Sequence, residues 1–183
     1  MGGRSYVCLM TASLIVRPCV EEDWARAMAL AAAVFVGEGF VAPERSEETR
    51  RLVAMEGAGT VLTAVDGREV LGVVVLANRG GPLALMAGEG EAEVRMLAVD
   101  PRARGRGVGE MLMRECIERA KGPPHLARAM VLSTQPGMKA AQRLYERMGF
   151  RRVPERDSVA PANAAGAAGS VTRERWAYWR ALA

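Results

Sequence analysis

From Leu14 onward the chain alternates short apolar runs with amphipathic stretches of helical period. Leu14–Arg17 reads as a short first strand. Glu21–Phe35 follows as a helix, with Ala25, Met28, Ala29, Ala32 and Val36 at helical spacing on one face and Glu21, Glu22 and Asp23 in the first turn, where the helix dipole favours negative charge. Glu44–Met55 is a second, more polar helix. Thr60–Val65 and Glu69–Ala77 read as strands joined at Asp66-Gly67, a dipeptide that supplies the positive backbone angles of a tight hairpin turn. The second of these strands is apolar at nearly every position, which places it centrally in a sheet.

After an acidic stretch with Glu89, Glu91 and Glu93, Val94–Val99 predicts another strand and Val108–Lys121 a helix whose stripe is Val108, Met111, Leu112, Cys116 and Ala120. Ala129–Ser133 reads as a buried strand. Met138–Met148 is a helix closed by Gly149, the residue type that most easily takes the left-handed conformation ending a helix. Ser158–Ser170, almost wholly Ala, Gly, Pro and Asn, reads as a flexible loop, and Arg175–Leu182 as a last strand. The sum is one α/β domain over residues 1–183, with 1–12 as a ragged leader and 158–170 as a loop.

Composition narrows the function classes. Half of the 183 residues are apolar, too many for a disordered chain. The longest clean apolar run, Val70–Ala77, is far short of the roughly 20 residues that a bilayer-spanning helix needs. The net charge of +4 comes from 25 basic and 21 acidic side chains mixed along helical faces. No long basic stripe with interleaved aromatics is present, which argues against a nucleic-acid surface. Cys8, Cys19 and Cys116 are odd in number and widely spaced, and His125 is the sole histidine. Neither a disulfide framework, a zinc site nor a two-imidazole centre is indicated, and a reducing, cytoplasmic setting fits.

The chemistry concentrates where a strand gives way to a helix, at Val99-Asp100-Pro101-Arg102-Ala103-Arg104-Gly105-Arg106-Gly107-Val108-Gly109. Closely spaced glycines let the backbone turn and aim N–H groups outward, and the helix N-terminus adds a field that favours an anion. A Walker A loop requires Gly-Lys-Ser/Thr, which is absent. The dinucleotide pattern Gly-x-Gly-x-x-Gly fails at Glu110.

Arg104-Gly105-Arg106-Gly107-Val108-Gly109 resembles the pyrophosphate loop of the GCN5-related N-acetyltransferases (GNAT), Arg/Gln-x-x-Gly-x-Gly/Ala. Glu93–Val99 looks like the family's fourth strand, and Arg143–Phe150 like its late helix ending in Tyr-x-x-x-Gly-Phe. The resemblance implies a mixed, mostly antiparallel central sheet flanked by helices. It implies acetyl-CoA as acyl donor, no metal, and direct attack by a primary amine of a small molecule or peptide within a ternary complex. A homodimer is allowed, and no membrane partner is implied. Leu97, Ala98 and Val99 would run beside the acetyl and pantetheine groups. Backbone N–H groups of Arg104, Gly105, Arg106, Gly107, Val108 and Gly109 would hold the pyrophosphate. Tyr145 would protonate the departing thiolate, and Glu93, on the same strand face as Arg95, Leu97 and Val99, would act as general base. The family's frequent Asn seven residues before the Tyr is Met138 here, with Ser133, Thr134 or Gln135 as substitutes. Glu89, Glu91 and Glu93 together predict a basic acceptor. The alternatives are a CoA-binding regulatory module without turnover and a nucleic-acid-associated domain.

Overall fold

The computed structural model describes residues 14–161 and 172–183. Eight strands, β1 (Ile15–Pro18), β2 (Gly59–Asp66), β3 (Glu69–Ala77), β4 (Glu91–Val99), β5 (Ala129–Thr134), β6 (Arg151–Arg152), β7 (Ser158–Pro161) and β8 (Thr172–Ala181), form one twisted sheet. Its order is β1-β2-β3-β4-β5-β8-β6, with β7 also paired to β8. All pairings are antiparallel except β4 with β5. The helices are α1 (Glu21–Gly37), α2 (Pro43–Val53), α3 (Val108–Lys121) and α4 (Lys139–Arg147). This is the mixed, mostly antiparallel α/β arrangement expected.

The core has two layers because β3 and β4 are covered on both faces. On one side Leu112, Met113, Cys116 and Ile117 of α3 meet Leu62, Leu71, Val74, Leu76, Val94, Met130 and Leu132, with Tyr145, Phe150 and Tyr178 completing the cluster. On the other side Ala27, Met28, Ala31 and Val34 of α1 pack on Val61, Val73, Val75, Ala77 and Ala98. Leu112 and Val74 are fully buried; removing a Leu side chain at such a position costs about 2–5 kcal/mol. Cys116 is a core residue, and burial pushes its thiol up to about 12.

Alanine-rich α1 sits rotated from the expected face. Ala25 and Ala29 are exposed, and the buried stripe is Ala27, Met28, Ala31 and Val34. So many alanines leave the apolar period poorly marked, and the sheet selects the face that offers Met28 and Val34. The segment expected as a loop from Ser158 differs too. Ser158–Pro161 pairs with Thr172–Arg175, so β8 starts three residues before the expected Arg175. The remainder of the expected loop, and the expected leader at 1–12, lie outside the described residues.

Candidate active site

A bulge in β4 creates the opening. Val73 faces Ala98 and Val75 faces Arg95, so β4 carries one residue more than β3 across that interval, and Met96 takes φ +54° to absorb it. The extra residue resets the alternation of side chains. Val94 lies in the α3 layer, as do Leu97 and Val99, whereas Met96 and Ala98 join the α1 layer. Glu93 therefore does not share a face with Leu97 and Val99, contrary to the strict alternation expected. The bulge also ends the parallel pairing with β5 at Val94 and Leu132, so Leu97–Val99 stand at a sheet edge with no neighbour on the β5 side. Asp100 N–H donates to Leu71 O on the β3 side, which turns the Val99 N–H the other way, toward that free edge.

Into this splay opens a cleft of about 540 Å³. Arg95, Met96 and Leu97 line one wall, Ser133, Thr134, Gln135, Met138 and Tyr145 the second, and Ala32, Phe35 and Val36 of α1 form the cover. The volume lies in the range of small-molecule sites. Phe40 O fastens the cover down, accepting from Gln135 Nε2 and from Arg173 Nη1, both at 3.0 Å. Gln142 Nε2, from α4, donates to Gln135 O at 2.8 Å and holds the turn that leads into that helix. Of the three proposed substitutes for the missing Asn, Gln135 has its amide committed, while the buried Thr134 hydroxyl lacks a partner among the described residues.

Beyond Val99, at the end of β4, the chain turns through a short 3₁₀ segment at Pro101–Ala103, anchored by Asp100, whose carboxylate accepts from Arg102 N–H at 2.8 Å. Gly107 then takes φ +80° as the residue capping α3. Gly109 faces α4 so closely that a Cβ there would meet Leu144 Cδ2 at 3.1 Å. The N–H groups of Gly105, Gly107, Val108 and Gly109 have no acceptor among the described residues. Those of Arg104 and Arg106 make long turn hydrogen bonds to Pro101 O and Ala103 O, at 3.4 and 3.3 Å, so the free donors form a subset of those expected. The arginine side chains are drawn outward, Arg104 to Glu38 and Arg106 to Asp66.

Tyr145 is buried in the α3 layer between Phe150 and Tyr178, with both ring centroids 6.0 Å away, and it lines the cleft. Burial, then the neighbouring Cys116 and Tyr178, push its phenol well above the usual value, so it stays protonated at any working pH.

Glu93 is placed otherwise than a general base requires. Its side chain is fully buried. Oε2 accepts N–H bonds from Leu85, Met86 and Ala87 at 2.8, 2.8 and 3.1 Å, and Oε1 accepts from Arg95 Nη1 at 3.1 Å. It does not line the cleft and serves as the clamp of the loop before β4. The expected acidic patch is dispersed as well. Glu91 is bound by Arg156 and Trp179, and Glu89 is exposed on a turn. Arg95, Arg173 and Arg175 line the cleft instead. Sequence reasoning missed them as site residues because Arg173 preceded the expected start of β8 and Arg95 and Arg175 were read only as strand positions; the alternation Arg173-Glu174-Arg175 was the available signal.

The family model described as Acetyltransferase (GNAT) family matches residues 23–150. The chain belongs to the GNAT acetyltransferase family. It is 36% identical over 87 residues to N-acetylaspartate synthetase of Danio rerio, covering 48% of this chain and 28% of the relative. It is 38% identical over 63 residues to N-alpha-acetyltransferase RimI of Mycobacterium tuberculosis, covering 34% and 37%. The chain thus matches 28% of the length of the first relative and 37% of the second. A solved GNAT acetyltransferase from Brucella melitensis in complex with acetyl-CoA superposes with a TM-score of 0.60 at 24% identity, over 76% of this chain and 84% of that one.

Proposed function

We propose that this GNAT chain is an N-acetyltransferase that moves an acetyl group from acetyl-CoA to a primary amine. The single observation that carries the reading is the β4 bulge at Met96, which leaves the Leu97–Val99 edge free between a glycine loop with unpaired N–H groups and the phenol of Tyr145. Gly105, Gly107, Val108 and Gly109 would hold the pyrophosphate through their N–H groups, assisted by the field of the α3 N-terminus. The pantetheine would lie along Val99, Ala98 and Leu97 as an added strand, which brings the thioester into the splay beside Tyr145.

In the reaction the neutral amine nitrogen attacks the acetyl carbonyl carbon. The new C–N bond forms, the C–S bond breaks, and its electron pair leaves on sulfur as thiolate. Tyr145 donates a hydrogen bond to that sulfur. Because burial holds its phenol well above the ordinary value, the Tyr145 O–H stabilises the thiolate as a donor. Glu93 is spent on three backbone donors and Arg95, and the one carboxylate among the described lining residues, Glu47, is bound by Arg50 and Arg51. The amine's proton therefore leaves to water in the cleft. A cytoplasmic location belongs to the same reading and rests on the free thiols of Cys19 and Cys116.

Incubation with acetyl-CoA and a panel of amines tests this proposal, with thiol release and a product 42 mass units heavier, roughly one acetyl group in place of a proton, as readouts. Binding of acetyl-CoA with no thiol release for any amine would favour the non-catalytic CoA-binding module.

A further inference from the structure

The cleft is apolar along α1 and cationic at the end remote from the glycine loop. Along β4 the order from that loop is Val99, Leu97, Arg95, so Arg95 lies beyond the place assigned to the acetyl group, on the acceptor's side. Arg173 and Arg175, two residues apart on β8, occupy one face of that strand. They extend past Trp176, the last β8 residue that pairs with β5. With Arg45 close by, this end gathers four guanidinium groups. Two are neutralised, Arg45 by Glu48 at 2.7 Å and Arg95 by Glu93 at 3.1 Å. Arg173 donates to the neutral Phe40 carbonyl, and its buried Nε has no partner among the described residues. The Arg175 side chain has no hydrogen-bond or ion-pair partner among the described residues.

Half-burying two uncompensated cations beside a third is costly unless an anion joins them. The cost is visible in proton affinity. Burial first, then repulsion from Arg95, Arg173 and Arg45, brings Arg175 down to about 10, with Glu93 opposing the shift, and Arg173 is lowered by burial, Arg45 and Arg95.

We propose that the acceptor is a small amine carrying a carboxylate, which Arg175 and Arg173 bind with Arg95 while the amino group faces the thioester. The proposal rests on the transferase reading and names its substrate class. A guanidinium fork matches a carboxylate in plane and spacing, and both hydrogen bonds strengthen in a cleft walled by Phe35, Val36 and Met28. The same cations act on the other end of the substrate. A positive surrounding disfavours the ammonium form of the amine, so it lowers the amine's proton affinity and raises the share of neutral nucleophile. A cleft without a free carboxylate base obtains its deprotonated amine in this way. A basic acceptor without a carboxylate, as expected from the glutamates in the sequence, would be repelled.

The test uses a panel of free amino acids, each paired with its α-carboxamide, with thiol release read on the full chain. The carboxylate member is expected to have kcat/KM higher by roughly 10- to 100-fold, the worth of one or two charge-assisted hydrogen bonds. Arg175→Gln should shrink that ratio by raising KM for the carboxylate much more than for the carboxamide, and Arg175→Lys should restore part of it. Equal rates for every pair, or a ratio unchanged in Arg175→Gln, overturn the proposal and leave the transferase reading standing. If no amine releases thiol, the transferase reading falls, and calorimetric titration of the same pairs in the presence of CoA still decides. Preference for the carboxylate that is lost in Arg175→Gln supports the proposal, and equal affinities overturn it.

Discussion

Glu93 and Arg95, two residues apart on one strand, form an ion pair at 3.1 Å in which the carboxylate is fully buried and the guanidinium reaches the cleft. One oxygen of Glu93 gathers three backbone N–H groups of the preceding loop, and the other aims Arg95. Glu93 is thus a positioning residue. Glu93→Gln keeps the shape but loses the charge and part of the acceptor capacity, so it should cost about 1–3 kcal/mol of stability. It should raise KM for the acceptor more than it lowers kcat. The shape of the pH–rate profile should stay parental, whereas loss of a general base would depress the rate most at low pH. Denaturant melts and the two profiles check this.

Tyr145→Phe removes one hydroxyl from a ring that Phe150 and Tyr178 already hold in place. Turnover should fall by about 10²-fold or more, the usual contribution of one hydrogen-bond donor aimed at developing charge, with acetyl-CoA affinity nearly unchanged. Since the phenol's proton is held well above the ordinary range, the parental enzyme should show no alkaline decline assignable to Tyr145 below about pH 10. A mutant with parental turnover, chemistry being rate-limiting, would leave Tyr145 as a core aromatic alone.

Acetyl-CoA should raise the melting temperature, because a ligand at 100 times its dissociation constant contributes about 2.7 kcal/mol. Gly107→Glu should abolish the shift by setting a carboxylate among the free N–H groups. Gly107→Ala is the control for backbone strain. Gly107 sits at φ +80°, and a Cβ there meets nothing within 4 Å, so Ala should cost about 1–2 kcal/mol and keep the shift. Loss of the shift in both variants would point to the backbone angle instead of the charge.

The elements with strong periodicity were legible in the sequence: β3, apolar at nearly every position, and α3, whose expected bounds Val108–Lys121 match those observed. The glycine loop was legible because few residue types tolerate its turns. The cationic end of the cleft was hidden by the bulge, since a single positive φ at Met96, a residue with no turn preference, reverses which side chains of β4 share a face. Once the alternation shifts, Glu93 becomes a buried clamp and Leu97 lies on the free edge of β4, in the α3 layer. The arginines of β8 were hidden for another reason. Their strand begins within a sequence rich in small residues, and its pairing with Ser158–Pro161 is a long-range contact that no local pattern announces.

The loop before β4 is held from a second side by Arg156, whose two amino groups reach Glu91 Oε1 and Oε2 at 2.8 Å and Met86 O at 2.6 Å. Burial alone would raise the Glu91 carboxyl, but the Arg156 guanidinium, the Gly88 N–H and Trp179 outweigh it and hold it below the usual carboxylate range. A carboxyl whose folded value is depressed stabilises the fold at pH above its unfolded value, about 4.3 for Glu, and that contribution disappears as pH falls through the folded value. The parental protein should therefore lose stability as pH drops below about 5, and part of that slope belongs to Glu91. Arg156→Gln should lower stability at pH 7 by about 1 kcal/mol, as a partly exposed bidentate pair contributes, and by progressively less as the pH falls and Glu91 takes up its proton. Urea melts of the two proteins at pH 7, 5 and 3 should converge at the acid end; parallel curves would mean that Arg156 acts through packing on Met86 rather than through the charge of Glu91.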